Sequence, residues 1–98
     1  MVKVVWSKRA LKDLEEIGDY ISNDSFQYAR LTLSKLIDTD KLISENPEIG
    51  RIVPEVNDKN IREIIKGSYR IIYQINKPAQ LEILTVFHSS RLLNEKDI

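Results

Sequence analysis

The chain has 98 residues, no cysteine, a single histidine and equal numbers of basic and acidic side chains, which gives a formal net charge of zero. That length supports one domain with one modest core, and the balanced charge excludes a long-range field that would draw the whole molecule onto nucleic acid or an anionic membrane. The absence of cysteine and the lone His88 exclude a disulfide framework, a thiolate metal centre and a multi-histidine site. The start "MVKVVWSKRA" puts a short apolar run directly against charges, unlike a signal peptide or a spanning segment. The expectation is therefore one soluble, cytoplasmic domain over residues 1–98, with no metal, no cofactor and no membrane contact.

The stretch "VKVVW" is β-branched and aromatic and reads as a strand. Ser7 offers an N-cap to a helix over 8–22, in which Ala10, Leu11, Leu14, Ile17 and Ile21 recur at three- and four-residue spacing and Lys12, Asp13, Glu15, Glu16 and Asp19 form the opposite, solvated side. After the break at "SNDS", Ser25 caps a second helix whose stripe runs through Ala29, Leu33, Leu36, Ile37 and Ile43. "ENPEIG" ends it, because the residue before Pro47 is pushed out of helical geometry and Gly50 permits a sharp turn.

Residues 51–60, "RIVPEVNDKN", have no period and read as an irregular loop with an extended piece at Ile52–Val53. Three strand-like runs follow: "IREII", "YRIIYQI" and "LEILTVFH". Gly67-Ser68 marks a type II′ hairpin between the first two, and "NKPAQ" joins the second and third, with Pro78 in the loop. The tail "SSRLLNEKDI" carries two leucines for docking. The order predicts a two-layer α+β domain, β-α-α-β-β-β, with both amphipathic helices on one face of an antiparallel sheet and the first strand at an edge.

These turns set a register. Closing the first hairpin at Gly67-Ser68 puts Ile65 opposite Arg70 and Glu63 opposite Ile72. Closing the second with Ile75 opposite Leu81 puts Ile71 opposite Thr85, Arg70 opposite Val86 and Ser68 opposite His88. Arg70 and His88 are then expected on one face at one end of the sheet, with Glu63 in diagonal reach of Arg70. From Ile61 to Arg91 the bases Arg62, Lys66, Arg70, Lys77 and Arg91 outnumber the acids Glu63 and Glu82, a local excess of +3. An arginine beside a histidine suits phosphate contact and proton transfer. The alternative is structural: Arg70 pairs with Glu63, and His88 is a capping or surface residue. Arg51 reads equally as a ligand-binding arginine at a loop start or as a solvated charge. Trp6 reads as core, and so do Tyr69 and Tyr73, with their hydroxyls reaching solvent.

Four motifs, W-S-x-x-A at Trp6, N-P-x-x-G-R at Asn46, R-E-x(5)-Y-R-x-x-Y at Arg62 and V-x-H-x-x-R at Val86, stand in one order along nearly the whole chain. Together they resemble the RelE/ParE family of bacterial toxins from type II toxin–antitoxin modules. The resemblance implies a two-helix, antiparallel-sheet fold and a cognate antitoxin of the ParD or RelB type, bound as a hetero-oligomer. It implies one of two targets, the further alternative being an inactive member that only binds its antitoxin. RelE-like members cleave messenger RNA on the ribosome, which would make Arg70, His88 and Arg91 catalytic; ParE-like members inhibit DNA gyrase, which would leave Arg51, Arg62, Lys66, Arg70, His88 and Arg91 as target contacts. The first of the three strands carries Ile61 and Glu63 rather than the paired lysines of RelE, and "WS", "PEIGR" and "HSSR" are closer to ParE.

Overall fold

The computed structural model describes residues 2–76 and 79–93. The loop position expected of Pro78 and the end of the tail lie outside the described residues. The elements are β1 Lys3–Trp6, α1 Lys8–Ser22, α2 Phe26–Ile37, α3 Thr39–Glu45, β2 Arg51–Ile52, β3 Ile61–Lys66, β4 Tyr69–Asn76 and β5 Gln80–His88. None of the described helices is long and apolar enough to cross a membrane.

The strands form one five-stranded sheet in the order β1-β5-β4-β3-β2. β3, β4 and β5 make the expected antiparallel meander, whereas the edge strand β1 runs parallel to β5, so the sheet is mixed. Gly67 has φ +60 and Ser68 does not have a positive φ, as a type II′ turn requires. β2 is one residue earlier than expected: Arg51 and Ile52 pair with Glu63 and Arg62, while Val53 is fully buried.

The helices cover one face. Ala10, Leu14, Leu36 and Ile43 pack with Ile71, Tyr73, Leu81, Ile83 and Val86 of the sheet, and Trp6 and Tyr69 pack against that cluster. Leu11 and Ile37, expected in the helical stripes, are exposed at 54% and 45%. The long second helix divides at Asp38, where Lys41 N–H bonds the Asp38 carbonyl three residues back, a tightening that re-aims the last turns and seats Ile43 in the core.

The other face is covered by the chain itself. Val53, Ile61, Ile72, Phe87 and Leu93 form a second cluster, with Val56 and Leu84 against it. Of the two tail leucines, Leu93 docks and Leu92 stays exposed.

The β4/β5 register departs from the simple hairpin. Ile75 opposes Leu81 as expected, but an extra residue enters between the Tyr73–Ile83 and Ile72–Thr85 pairs, so Ile71 opposes Val86, Arg70 opposes Phe87 and Tyr69 opposes His88. This is a β-bulge at Leu84, and α1 holds it from both sides. Ser7 Oγ accepts from Ala10 N–H at 2.9 Å as the helix N-cap and donates to the Leu84 carbonyl at 2.8 Å. Asp13 Oδ2 accepts from both the Thr85 hydroxyl at 2.5 Å and the Val86 N–H at 2.9 Å. One carboxylate of the acidic helix face is thus committed to the sheet. Replacing Asp13 with Ala leaves both donors without an acceptor and is expected to cost about 1–3 kcal/mol of stability. Urea unfolding checks this; Glu16→Ala, one turn on and exposed, is expected to unfold at the same midpoint as the parent.

Candidate functional site

Arg70 is the second residue of β4 and shares its sheet face with Glu63, Ile65, Ile72 and Phe87. It is 5% exposed. Its Nε donates to Glu63 Oε1 at 2.6 Å, its two terminal nitrogens donate to the Glu55 carboxylate at 2.8 and 2.9 Å, and Nη1 also reaches the Arg91 carbonyl at 3.2 Å. The other Glu63 oxygen accepts from Arg51 Nε, and Glu55 Oε2 accepts from Leu93 N–H at 2.9 Å. Arg51, Glu63, Arg70 and Glu55 therefore form one alternating chain of charges, with Glu63 fully buried at its centre. Two guanidinium groups lie over the Phe87 ring, Arg70 at 5.2 Å and Arg91 at 4.9 Å from its centroid.

Charge pairing dominates the titration here. The Arg70 hydrogen bonds hold the Glu55 carboxyl down at about 2, against burial that acts the other way. Glu55, followed by Glu63, raises Arg70 further above its already high ordinary value. Arg70 is thus a clamp that ties loop 53–60 and the segment ending at Leu93 onto the sheet. Its donors face carboxylates and a carbonyl, so the arrangement matches the structural alternative for Arg70 and leaves no fork for a phosphate.

His88 lies elsewhere. The bulge puts it opposite Tyr69, so it stands on the helix-side face while Arg70 stands on the other, and the expected Arg70–His88 pair does not form. An unbroken two-residue period through Leu84 would keep the two side chains on one face, and the bulge breaks that period. His88 meets Tyr69 edge to face at 5.9 Å. Its Nδ1 accepts from the Ser90 N–H at 3.1 Å and lies 2.8 Å from the Ser90 hydroxyl, so the neutral ring carries its proton on Nε2. His88 and Arg91 line an open groove of about 400 Å³ with Tyr20 and Tyr69, and Asp13 and Glu16 form its α1 wall.

The remaining candidates also disperse. Arg62 caps carbonyls, donating to Lys59 at 3.0 Å and Gly50 at 2.9 Å, and Lys66 is exposed beside the hairpin turn. The basic excess from Ile61 to Arg91 is thus not a single field, since Glu55, outside that window, neutralises its innermost arginine. Sequence reasoning missed Glu55, which sits in an aperiodic loop with no signal of its own. It also misplaced the Tyr73 hydroxyl, which is internal: it donates to the Pro47 carbonyl at 2.6 Å and accepts from Gly50 N–H at 3.0 Å. A Cβ at Gly50 would lie 2.6 Å from the Glu63 carbonyl and 2.7 Å from that hydroxyl, which explains the glycine directly before Arg51.

The fold is a small α+β domain, as the resemblance read from the sequence motifs implies. The family described as "ParE toxin of type II toxin-antitoxin system, parDE" matches residues 4–93. The "Putative toxin Y4kP" of Sinorhizobium fredii is 33% identical over 89 residues, covering 89% of this chain and 88% of that protein. "Toxin RelE2" of Caulobacter vibrioides is 30% identical over 92 residues, 94% of this chain and 100% of that one. Among solved structures, the chromosomal ParDE system of P. aeruginosa superposes with a TM-score of 0.73 at 18% identity, over 90% of this chain and 96% of that one. The RelBE2 toxin–antitoxin complex of Mycobacterium tuberculosis gives 0.65 at 20% identity, over 89% and 96%. The chain belongs to the ParE toxin family of type II toxin–antitoxin systems.

Two measurements test the clamp. Arg70→Ala leaves the buried Glu63 carboxylate with Arg51 alone, takes the guanidinium from Glu55 and is expected to destabilise the fold by about 3–5 kcal/mol, read as a lowered denaturation midpoint; a fully stable variant would mean that Arg70 is held for contact with a target. Because the folded Glu55 carboxyl titrates at about 2 against an ordinary 4.5, its stabilisation is complete above pH 4.5 and is lost as pH falls towards 2. Glu55→Gln is expected to flatten that part of the stability profile in acid titrations followed by circular dichroism.

Proposed function

We propose that this chain is a growth-arresting toxin that acts as a binding module on DNA gyrase and is neutralised by a cognate antitoxin. The observation that carries this reading is the separation of the residues a ribonuclease would need together. Arg70 is buried between Glu55 and Glu63 on one sheet face, and His88 is exposed on the other. A phosphate-cleaving site needs its electrostatic stabiliser and its acid–base group to converge on one bond. The family match is to ParE, which supports the gyrase target. An antitoxin partner is supported by the two structural neighbours, both toxin–antitoxin systems. The exposed Phe26, Tyr28 and Leu31 of α2 give such a partner apolar surface to cover.

The groove shared by His88 and Arg91 favours one second reading, RNA cleavage on the ribosome. There, Arg91 would hold the phosphate and His88 would transfer the proton of the adjacent 2′-hydroxyl. Arg70, with its donors already taken, has no place in that chemistry.

Incubation of the folded protein with gyrase, supercoiled DNA and ATP distinguishes the two. Protein-dependent accumulation of cleaved DNA and loss of supercoiling are expected, and His88→Ala is expected to retain at least part of the effect. Intact gyrase activity, together with messenger RNA cut on ribosomes by the parent and not by His88→Ala, would replace this reading with the second.

A further inference from the structure

β3 has an open stretch. β2 pairs only with Arg62 and Glu63, so Ile64, Ile65 and Lys66 have β4 on one side and, among the described residues, no strand on the other. The Ile61 carbonyl accepts from Val53 N–H on the β2 side. The two-residue period then turns the Ile65 N–H and carbonyl outward on that same side. Such an edge is a template for an added strand.

The surface around this edge differs on its two sides. An open groove of about 340 Å³ runs along it, lined by Leu42, Ile49, Ile64 and Ile65 with Arg51 and Glu63. Leu42 comes from α3 in the helix layer, and Ile64 shares its face with Ile71 of the helix-side core. Arg51, Glu63 and Ile65 belong to the opposite face. The edge therefore separates an aliphatic side from one on which the exposed Arg51 guanidinium stands near Ile65.

Arg51 is prepared for an anion. Glu63, fully buried, accepts from its Nε and fixes the guanidinium plane, yet the Arg51 side chain remains 62% exposed. Among the described residues its side chain makes no other polar contact, so both terminal nitrogens are presented outward as a fork. Arg70 meets Glu63 from the other side and Glu55 takes the rest of the Arg70 fork, so the four-residue chain is neutral and an incoming anion is met by the Arg51 fork itself rather than by a net positive field.

We infer that this groove seats an extended segment of a protein partner in which carboxylate and aliphatic side chains alternate. The segment adds as a strand beside Ile64–Lys66. Its backbone bonds Ile65, its carboxylates face Arg51, and its aliphatic side chains enter between Leu42, Ile49 and Ile64. Alternation follows from the added strand itself, since successive side chains point to opposite faces. Arg51 thereby becomes a specificity-determining contact with a defined ligand class. The inference rests on the reading of the chain as one with a protein partner and is independent of whether gyrase is the target.

The test uses the full chain, isotope-labelled, titrated with an N-acetylated, C-amidated Val-Glu-Val-Glu-Val peptide. Binding is expected with the largest amide shifts at Ile64–Lys66 and Arg51, and with about tenfold weaker affinity for Arg51→Ala. Ile65→Pro removes the outward donor without touching the core, since Ile65 is 52% exposed, and is expected to abolish the shifts while the spectrum stays folded. Equal binding of Val-Gln-Val-Gln-Val, or shifts confined to α1 and α2, would overturn the proposal. Displacement by inorganic phosphate at low millimolar concentration, with the peptide's valines making no difference, would replace the segment with a simple anion site. A chain that binds the peptide but leaves gyrase untouched loses the target assignment and keeps this one.

Discussion

The carboxylate of Glu63 is the interaction on which the sheet face away from the helices is organised. A fully buried charge costs several kcal/mol unless it is compensated. Here two arginines approach it from opposite directions, Arg70 from the neighbouring strand and Arg51 from the short edge strand. Arg70 then requires a second carboxylate, which Glu55 supplies from the loop, and Glu55 in turn accepts from Leu93 N–H. One buried charge therefore draws the edge strand, the irregular loop and the end of the described chain onto a single sheet face. Without that sequence of pairings the aliphatic cluster of Val53, Ile72 and Leu93 would lack the loop that covers it.

The helix-side face is held by other means. Its core is apolar, and the polar attachment between layers is concentrated at the bulge in β5. Ser7 and Asp13 satisfy the backbone that the extra residue leaves unpaired, so the bulge is fixed by the helix packed against it. This has a functional consequence one strand-length away. The bulge rotates the end of β5 by one residue, and that rotation moves His88 off the face of Arg70. A site that looks assembled in a straight ladder is divided between two faces in the real one.

The division separates two grooves with different chemistry. The one near His88 joins aromatic rings, two carboxylates of α1 and Arg91, whereas the one along β3 joins aliphatic side chains and an arginine fixed by a buried carboxylate. Both are open grooves whose lining groups can contact another molecule. The exposed α2 side chains extend that partner-facing character onto the helical layer.

The sequence by itself determined the α+β class, the helix caps at Ser7 and Ser25, the turn at Gly67-Ser68, the β3/β4 register and the family, because each depends on local spacing or on short motifs read in order. The Glu63–Arg70 pair was legible as well, since it follows from that register. Only the tertiary structure decided the break at Asp38, the parallel placement of β1, the bulge at Leu84 and the recruitment of Glu55. These depend on contacts between residues far apart in the chain: Asp13 meets Val86 and Arg70 meets Glu55 through side chains, and no periodicity carries information about such a meeting. The candidate site lay in that second category. A one-residue insertion in a ladder costs little and leaves almost no mark on the hydrophobic pattern, yet it decides which side chains share a face.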